Sequence, residues 1–260
     1  MTVWFGLLAE FRREWLLFRR YPTELISQIV IVVIAFYGLF LGASYVAGSH
    51  VVGNRLDSVI VGYLLWTLAM GAVGSMGWDI MNEAQNGTLE QVMISSLGLS
   101  RILLLRSIVM FLYNILFTFV VLFLIMWMTH RHLSVSIVEL IPFGLAMASA
   151  IGIGYCVASV TILFKRSNQF LGLLQFVLLF LVMTPFASLP GWGQAIAVFV
   201  PIAPMNALLK QMMIERFGLI GPHHWLLWSV VNAVLWVGLG MVVFTTASKR
   251  ARRKGILGHY

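Results

Sequence analysis

The sequence predicts an all-α integral membrane protein with six transmembrane helices. Of its 260 residues, 60% are hydrophobic and only 10% are charged, a balance outside the usual range for a water-soluble domain. The mean hydropathy is +0.95. Apolar runs of about 18 or more residues recur, each long enough for a hydrocarbon core about 30 Å thick. These runs place spans at 25–46, 57–81, 101–128, 139–163, 169–187 and 224–247. The net charge of +8 invites a nucleic-acid reading, but the positions of the cations point to the membrane. With the N-terminus inside, thirteen lie in inside segments: Arg12, Arg13, Arg19, Arg20, Arg101, Arg106, Lys165, Arg166, Lys249, Arg250, Arg252, Arg253 and Lys254. Four lie outside: Arg55, Arg131, Lys210 and Arg216. That bias puts both termini in the cytoplasm, and the basic tail at 248–260 suits anionic lipid.

Residues 1–21 form an interfacial helix rather than a span or a cleavable signal, because Glu10, Arg12, Arg13 and Glu14 occupy what would be an uncharged h-region. Trp4, Leu7, Leu8, Phe11, Trp15 and Phe18 make its apolar stripe, with Glu10, Arg13 and Arg20 towards the other side. Pro22 ends the helix and turns the chain into the first span.

After the second span comes the longest polar break, Asn86-Gly87-Thr88-Leu89-Glu90-Gln91. Gly87 allows a turn, and Thr88 with Gln91 has the T-x-x-Q spacing of a capping box. Leu89, Val92, Met93 and Leu97 then recur at helical spacing until Gly98. The local pattern fits a helix packed under the bundle and also a helix offered to another protein.

Pro185, Pro190, Pro201, Pro204 and Pro222 crowd the stretch before the last span. The apolar pieces between them, 191–200 and 204–217, are too short to cross a bilayer. A reentrant outer hairpin at 188–222 satisfies this pattern, since broken backbone at membrane depth is tolerated where protein surrounds it. A pair of helices lying on the outer surface satisfies it equally.

Within the spans, Gly144, Ala148, Gly152 and Cys156 form a small-residue ridge suited to close helix approach. Gln28, Asn114, Thr118, Gln175 and Asn232 read as interhelical hydrogen-bonding groups. Asp79 and Glu83 lie near the cytoplasmic end of the second span, where function and simple solvation both remain open. No lysine follows a glycine, so the chain has no Gly-Lys-Ser/Thr phosphate loop. His130, His132, His223 and His224 lack the companions of a recognisable metal site, and Cys156 has no adjacent base. We expect no catalytic residue, no metal and no cofactor in this chain.

Two motifs resemble a known family, the membrane-spanning permease subunit of type-2 ABC exporters. Glu83…Gly87-Thr88-Leu89-Glu90 is similar to the family's approach to its coupling helix, and Leu189-Pro190-Gly191-Trp192 followed by Pro201 and Pro204 is similar to its outer hairpin. The resemblance covers nearly the whole chain. One departure is the interval Ala84-Gln85-Asn86, where family members often carry an arginine that pairs with the glutamate. The resemblance implies that 87–98 is a cytoplasmic coupling helix. Glu83, Gly87, Thr88, Leu89, Glu90 and Gln91 would then meet a separate ABC ATPase, present in two copies, which binds ATP and Mg. It also implies a second copy of this permease or a close relative, with membrane lipids around the pair and no nucleic acid. The central route would be lined from spans one, two and five, making Phe36, Tyr37, Phe40, Tyr63, Trp66, Gln175 and Phe176 candidates; those aromatics also suit a lipid-facing surface. Pro190, Gly191, Trp192, Pro201 and Pro204 become a candidate outer gate. The expected activity is ATP-driven export of a hydrophobic or amphiphilic substrate across a plasma membrane, bacterial by this resemblance. A lipid-linked glycan is the alternative cargo. An ATP-independent carrier ranks lower, because no internal repeat or midplane carboxylate supports it, and a non-transporting sensor has no residue of its own to favour it.

Overall fold

The structure, a computed structural model, describes residues 2–46, 53–88, 91–92, 95, 98–164, 168–218 and 223–253. Among the described residues, nine α-helices follow one another: α1 Thr2–Arg20, α2 Pro22–Val46, α3 Asn54–Gln85, α4 Gly98–Thr129, α5 Leu140–Phe164, α6 Asn168–Met183, α7 Gly191–Phe199, α8 Ala203–Met213 and α9 His223–Arg253. Single 3-10 turns occupy Ile137–Glu139 and Phe186–Ser188. The protein is therefore an all-α, multi-pass membrane protein. Five of the described helices are long and apolar enough to cross a bilayer, and the α7–α8 pair is bent by 112° at its break.

The α1 helix uses its polar side for packing. Trp4, Phe11 and Trp15 stay exposed, whereas Glu10 turns to α4, as expected for a helix whose apolar face belongs in acyl chains. The α2 helix is also largely exposed on Ile26, Val30, Ile31 and Ile34, with Phe36 fully buried.

The main core joins α3 to α4, α5, α6 and α8 through residues such as Leu64, Leu68, Val121, Phe143 and Met205. Helices α5 and α9 approach most closely at two glycines. A Cβ on Gly152 would collide with the Trp236 backbone, and a Cβ on Gly240 with the backbone of Gly152. The predicted small-residue ridge is thus in direct backbone contact at Gly152, while Gly144 faces open space. Close approach needs a small residue on each helix, and the α9 partner, Gly240, lay outside the four-residue repeat.

The sixth helix is shorter than the 169–187 segment predicted from hydropathy. It has 16 residues, about 24 Å at 1.5 Å per residue. Pro185 explains the stop, because its ring disfavours the α conformation at Thr184 and it has no N–H to continue the ladder. Asn206 of α8 then donates its amide to Val182 O at 2.6 Å, satisfying a carbonyl freed by that stop.

The hairpin is built by prolines at both of its starts. Pro190 precedes α7, and Gly193 N–H donates to Pro190 O at 2.7 Å. Pro204 sits in the first turn of α8, where a missing N–H costs nothing. Between them Ile202 adopts φ 68°, a left-handed conformation unusual for a β-branched residue, and its side chain is fully buried. Nine of the eleven residues of α8 are buried, so that half of the hairpin is enclosed by protein. By contrast, Trp192, Ile196 and Phe199 of α7 are exposed.

The carbonyls at the end of α7 are taken up by α9. Asn232 donates to Val198 O at 2.6 Å and Val200 O at 3.0 Å. Trp236 Nε1 donates to Phe199 O at 3.1 Å. Asn232 Oδ1 in turn accepts from Ser149 of α5 at 3.0 Å. Replacing Asn232 with Leu keeps the volume but orphans the Val198 carbonyl and the Ser149 hydroxyl and leaves Val200 O only the long bond from Ala203 N–H, at about 1–3 kcal/mol for each buried group left unpaired. We predict a marked fall in the thermal midpoint of detergent-solubilised Asn232→Leu, and a much smaller fall for Ser149→Ala. Equal midpoints for wild type and Asn232→Leu would remove Asn232 as the support of the break.

Candidate functional site at the α3–α4 junction

The two long helices α3 and α4 are joined by the polar segment that the sequence singled out. Both glycines that bound it have left-handed backbones, Gly87 at φ 69° and Gly98 at φ 71°, a region open to glycine at no steric cost. Between them Val92 N–H donates to Thr88 O and Ser95 N–H to Gln91 O, each at 3.1 Å, four residues apart as in an α-helical turn. Gln91 is exposed. Leu89 and Glu90, two of the six predicted contact residues, lie outside the described residues.

The Thr88 hydroxyl does not cap that turn in the predicted T-x-x-Q box. It points back to α3, donating to the carboxylate and the backbone carbonyl of Glu83, while Thr88 N–H also donates to Glu83 O at 2.9 Å. Glu83 thus takes both Thr88 donors, and the N–H that the Gln91 side chain would cap in the box is already spent.

Glu83 is itself held by an arginine. Arg106 of α4 donates through its terminal nitrogen to Glu83 at 2.8 Å and through Nε to Glu10 of α1 at 3.1 Å. All three side chains are largely buried, with Arg106 only 13% exposed. The guanidinium thus clamps α1, α3 and α4 together and, through Glu83, fixes Thr88 at the head of the segment. The arginine absent from 84–86 is replaced from another helix. Sequence reasoning counted Arg106 only as an inside charge and Glu10 only as part of a polar face. The available signal was a lone arginine more than one turn inside an apolar run, which demands a partner.

Asp79, one turn before Glu83, is half-buried. Beside this clamp lies a cavity of about 360 Å³ among α1, α2, α3 and α4, whose wall includes Glu14, Glu24, Gln28, Tyr113 and Asn114. Gln28 and Asn114, expected as interhelical partners, thus share a cavity wall, and Asn114 packs so closely on Gly71 that a Cβ there would meet its amide.

The predicted pathway residues divide into two groups. Phe36, Tyr37, Phe40, Tyr63 and Trp66 form one aromatic cluster between α2 and α3, with Phe36–Tyr63 centroids 5.3 Å apart and Tyr63–Trp66 5.4 Å apart. Tyr63 donates to Val32 O at 2.6 Å. Gln175 and Phe176 are exposed on α6, where Trp66 Nε1 reaches the Gln175 carbonyl at 3.0 Å. Among the candidate gate residues, Pro190, Gly191 and Trp192 open α7, while Pro201 and Pro204 flank the break.

At the opposite end of the bundle, Arg131 is bound to Asp57 by two bonds of 2.9 and 2.6 Å, which hold its guanidinium pKa above the ordinary arginine value. The loop of His130 and His132, both of them exposed, is therefore tied to the start of α3 through Arg131. Ser134 continues the tie by donating to Met212 O and Met213 O at the end of α8. Among the described residues, no group of three or more His, Cys, Asp or Glu side chains is placed to hold a metal.

Residues 6–214 match the ABC-2 type transporter family, most of the chain and every element from α1 to α8. No curated protein matches the chain in sequence. The chain belongs to the ABC-2 type transporter family. It is a membrane permease component of an ABC transporter, a non-catalytic transport part that works with an ABC ATPase subunit.

Loss of Arg106 leaves Glu83 without a cation and Glu10 with only the exposed Arg13. We predict that Arg106→Gln lowers stability by about 2 kcal/mol or more, below the roughly 3–5 for a fully buried pair because the three side chains keep some exposure. Arg106→Lys should recover only part, since an ammonium lacks the fork that serves two carboxylates in fixed directions. Denaturant unfolding, with limited proteolysis after Gln85 as a second readout, checks both; full rescue by lysine would contradict the clamp geometry.

Proposed function

We propose that the chain is the permease of an ABC exporter that moves a hydrophobic or amphiphilic substrate out of the cytoplasm or inner leaflet. The observation that carries this reading is the Arg106 clamp, which joins the segment after α3 both to the interfacial helix and to the bundle. A force applied near Thr88 passes through Glu83 into α3 and through Arg106 into α1 and α4. In this reading residues 87–98 are the coupling helix, with Gly87, Thr88, Leu89, Glu90 and Gln91 seated against the ATPase and Glu83 anchoring them. ATP and Mg are bound by that partner.

Two permease copies, or this chain and a close relative, pair with two ATPase copies. The exposed apolar residues of α2 and α6, including Ile34, Phe176 and Phe180, support such a pairing, because a route between two copies needs uncovered faces on each. The charge bias favours both termini in the cytoplasm of a bacterial plasma membrane. The hairpin then lies at the outer side as a reentrant gate, a reading supported by the burial of α8.

The coupling assignment predicts a defect in energy transfer with assembly intact. Gly87→Pro removes the left-handed turn, and Glu90→Lys reverses the charge offered to the partner. Gly87 is exposed, outside the apolar bundle. Both variants should reach the membrane, and substrate-stimulated ATP hydrolysis by the complex should fall about tenfold, the effect of losing roughly 1.4 kcal/mol of coupling. Wild-type stimulation in both variants would overturn the assignment.

A further inference from the structure

A cavity of about 700 Å³ opens where the start of α3, the break after α6 and the helix α8 meet. Its wall carries two cations, Arg55 and Lys210, and one carboxylate, Glu215. Lys210 is half-buried on a helix that is otherwise almost wholly buried, whereas Glu215 is exposed. Neither cation has an ion-pair partner among the described residues, where the ion pairs are Arg13–Glu10, Arg106–Glu10, Arg106–Glu83 and Arg131–Asp57. Asp57, two residues from Arg55, has both carboxylate oxygens engaged by Arg131.

An ammonium withdrawn from water without a counter-charge is costly, so a bound anion would relieve an expense that the fold leaves open. The same wall also holds the side-chain oxygens of Asn206 and Gln211, buried acceptors without partners among the described residues, which suit a hydroxyl of the head and not its charge. Met183, Phe186 and Ile214 supply apolar surface beside them. Two unpaired cations and apolar surface in one wall match an amphiphile with an anionic head.

We propose that this cavity is an anion-accepting site at the hairpin end of the permease, in which Lys210 and Arg55 hold the phosphate, sulfate or carboxylate headgroup of an amphiphile. The site rests on the exporter reading and narrows its substrate class from amphiphiles in general to acidic ones. The charge-assisted bonds to Lys210 and Arg55 select the head, and the apolar wall accepts the first carbons of the chain.

Binding is measurable without the ATPase, so its failure is separable from failure of the exporter reading. The full chain in phosphatidylcholine nanodiscs is titrated with oleoyl lysophosphatidic acid, with monoolein, which differs by the phosphate, and with inorganic phosphate, while the thermal midpoint is followed. The phosphorylated amphiphile should raise the midpoint saturably and monoolein should not. A shift with inorganic phosphate alone, at far higher concentration, would assign recognition to the headgroup itself; none would assign it to head and chain together. Lys210→Gln and Arg55→Gln should each weaken the response about tenfold, roughly the worth of one charge-assisted bond, and Lys210→Arg should largely retain it. If Lys210→Gln does not fold, Arg55→Gln, at an exposed position, carries the test alone. Equal shifts with lysophosphatidic acid and monoolein, or an unchanged response in the folded glutamine variants, would overturn the proposal.

Discussion

A backbone broken among apolar side chains must find partners for its freed carbonyls, and in this protein the last helix supplies them. Val198, Phe199 and Val200 end α7 with their carbonyls facing α9, where Asn232 and Trp236 donate to all three. In a hydrocarbon environment no water substitutes for such donors. The position of α9 is therefore fixed from two directions, by the hairpin it satisfies and by the glycine contact with α5. Ser149 links those constraints, because it hydrogen-bonds the same Asn232 from the α5 side. The early stop of α6 obeys the same rule, with Asn206 of the hairpin taking the Val182 carbonyl.

The two ends of the bundle are organised differently. At the hairpin end, the Asp57–Arg131 pair and Ser134 tie a loop to α3 and α8, bracing the broken segment. At the other end, Arg106 gathers Glu10 and Glu83 and thereby holds Thr88. The second arrangement places one charge at the junction of three helices and a surface segment. A displacement of that segment cannot leave the clamp unchanged without breaking charge-assisted bonds in a largely dry setting, where they are strong. An ABC permease needs such a connection, since its energy arrives from another polypeptide.

Much of the fold was legible because composition and apolar run length report directly on the solvent around a helix. The first helix, the proline-bounded hairpin and the polar break after α3 each left a local pattern. Asn232 was legible as a hydrogen-bonding residue, but its acceptors were not, because they are backbone atoms more than thirty positions away. The Arg106 clamp was illegible for a related reason: Glu10, Glu83 and Arg106 come from three helices, and no spacing in the chain relates them. The T-x-x-Q box misled because it looks only forward along the chain, whereas the Thr88 N–H and hydroxyl both found Glu83, on the helix behind them. Hydropathy likewise extended the sixth helix through Pro185, since it registers that residue's polarity and not its missing N–H.

The central claim is that the segment headed by Thr88 carries the contact through which an ATPase drives this bundle. A single cysteine at Gln91, an exposed position, in a chain whose native Cys156 has been replaced by Ala, tests it most directly. With a cysteine-bearing partner ATPase in membranes, crosslinking should be efficient in one nucleotide state and several-fold weaker in another. An absence of crosslinking in every nucleotide state, in a complex that still transports, would contradict the account.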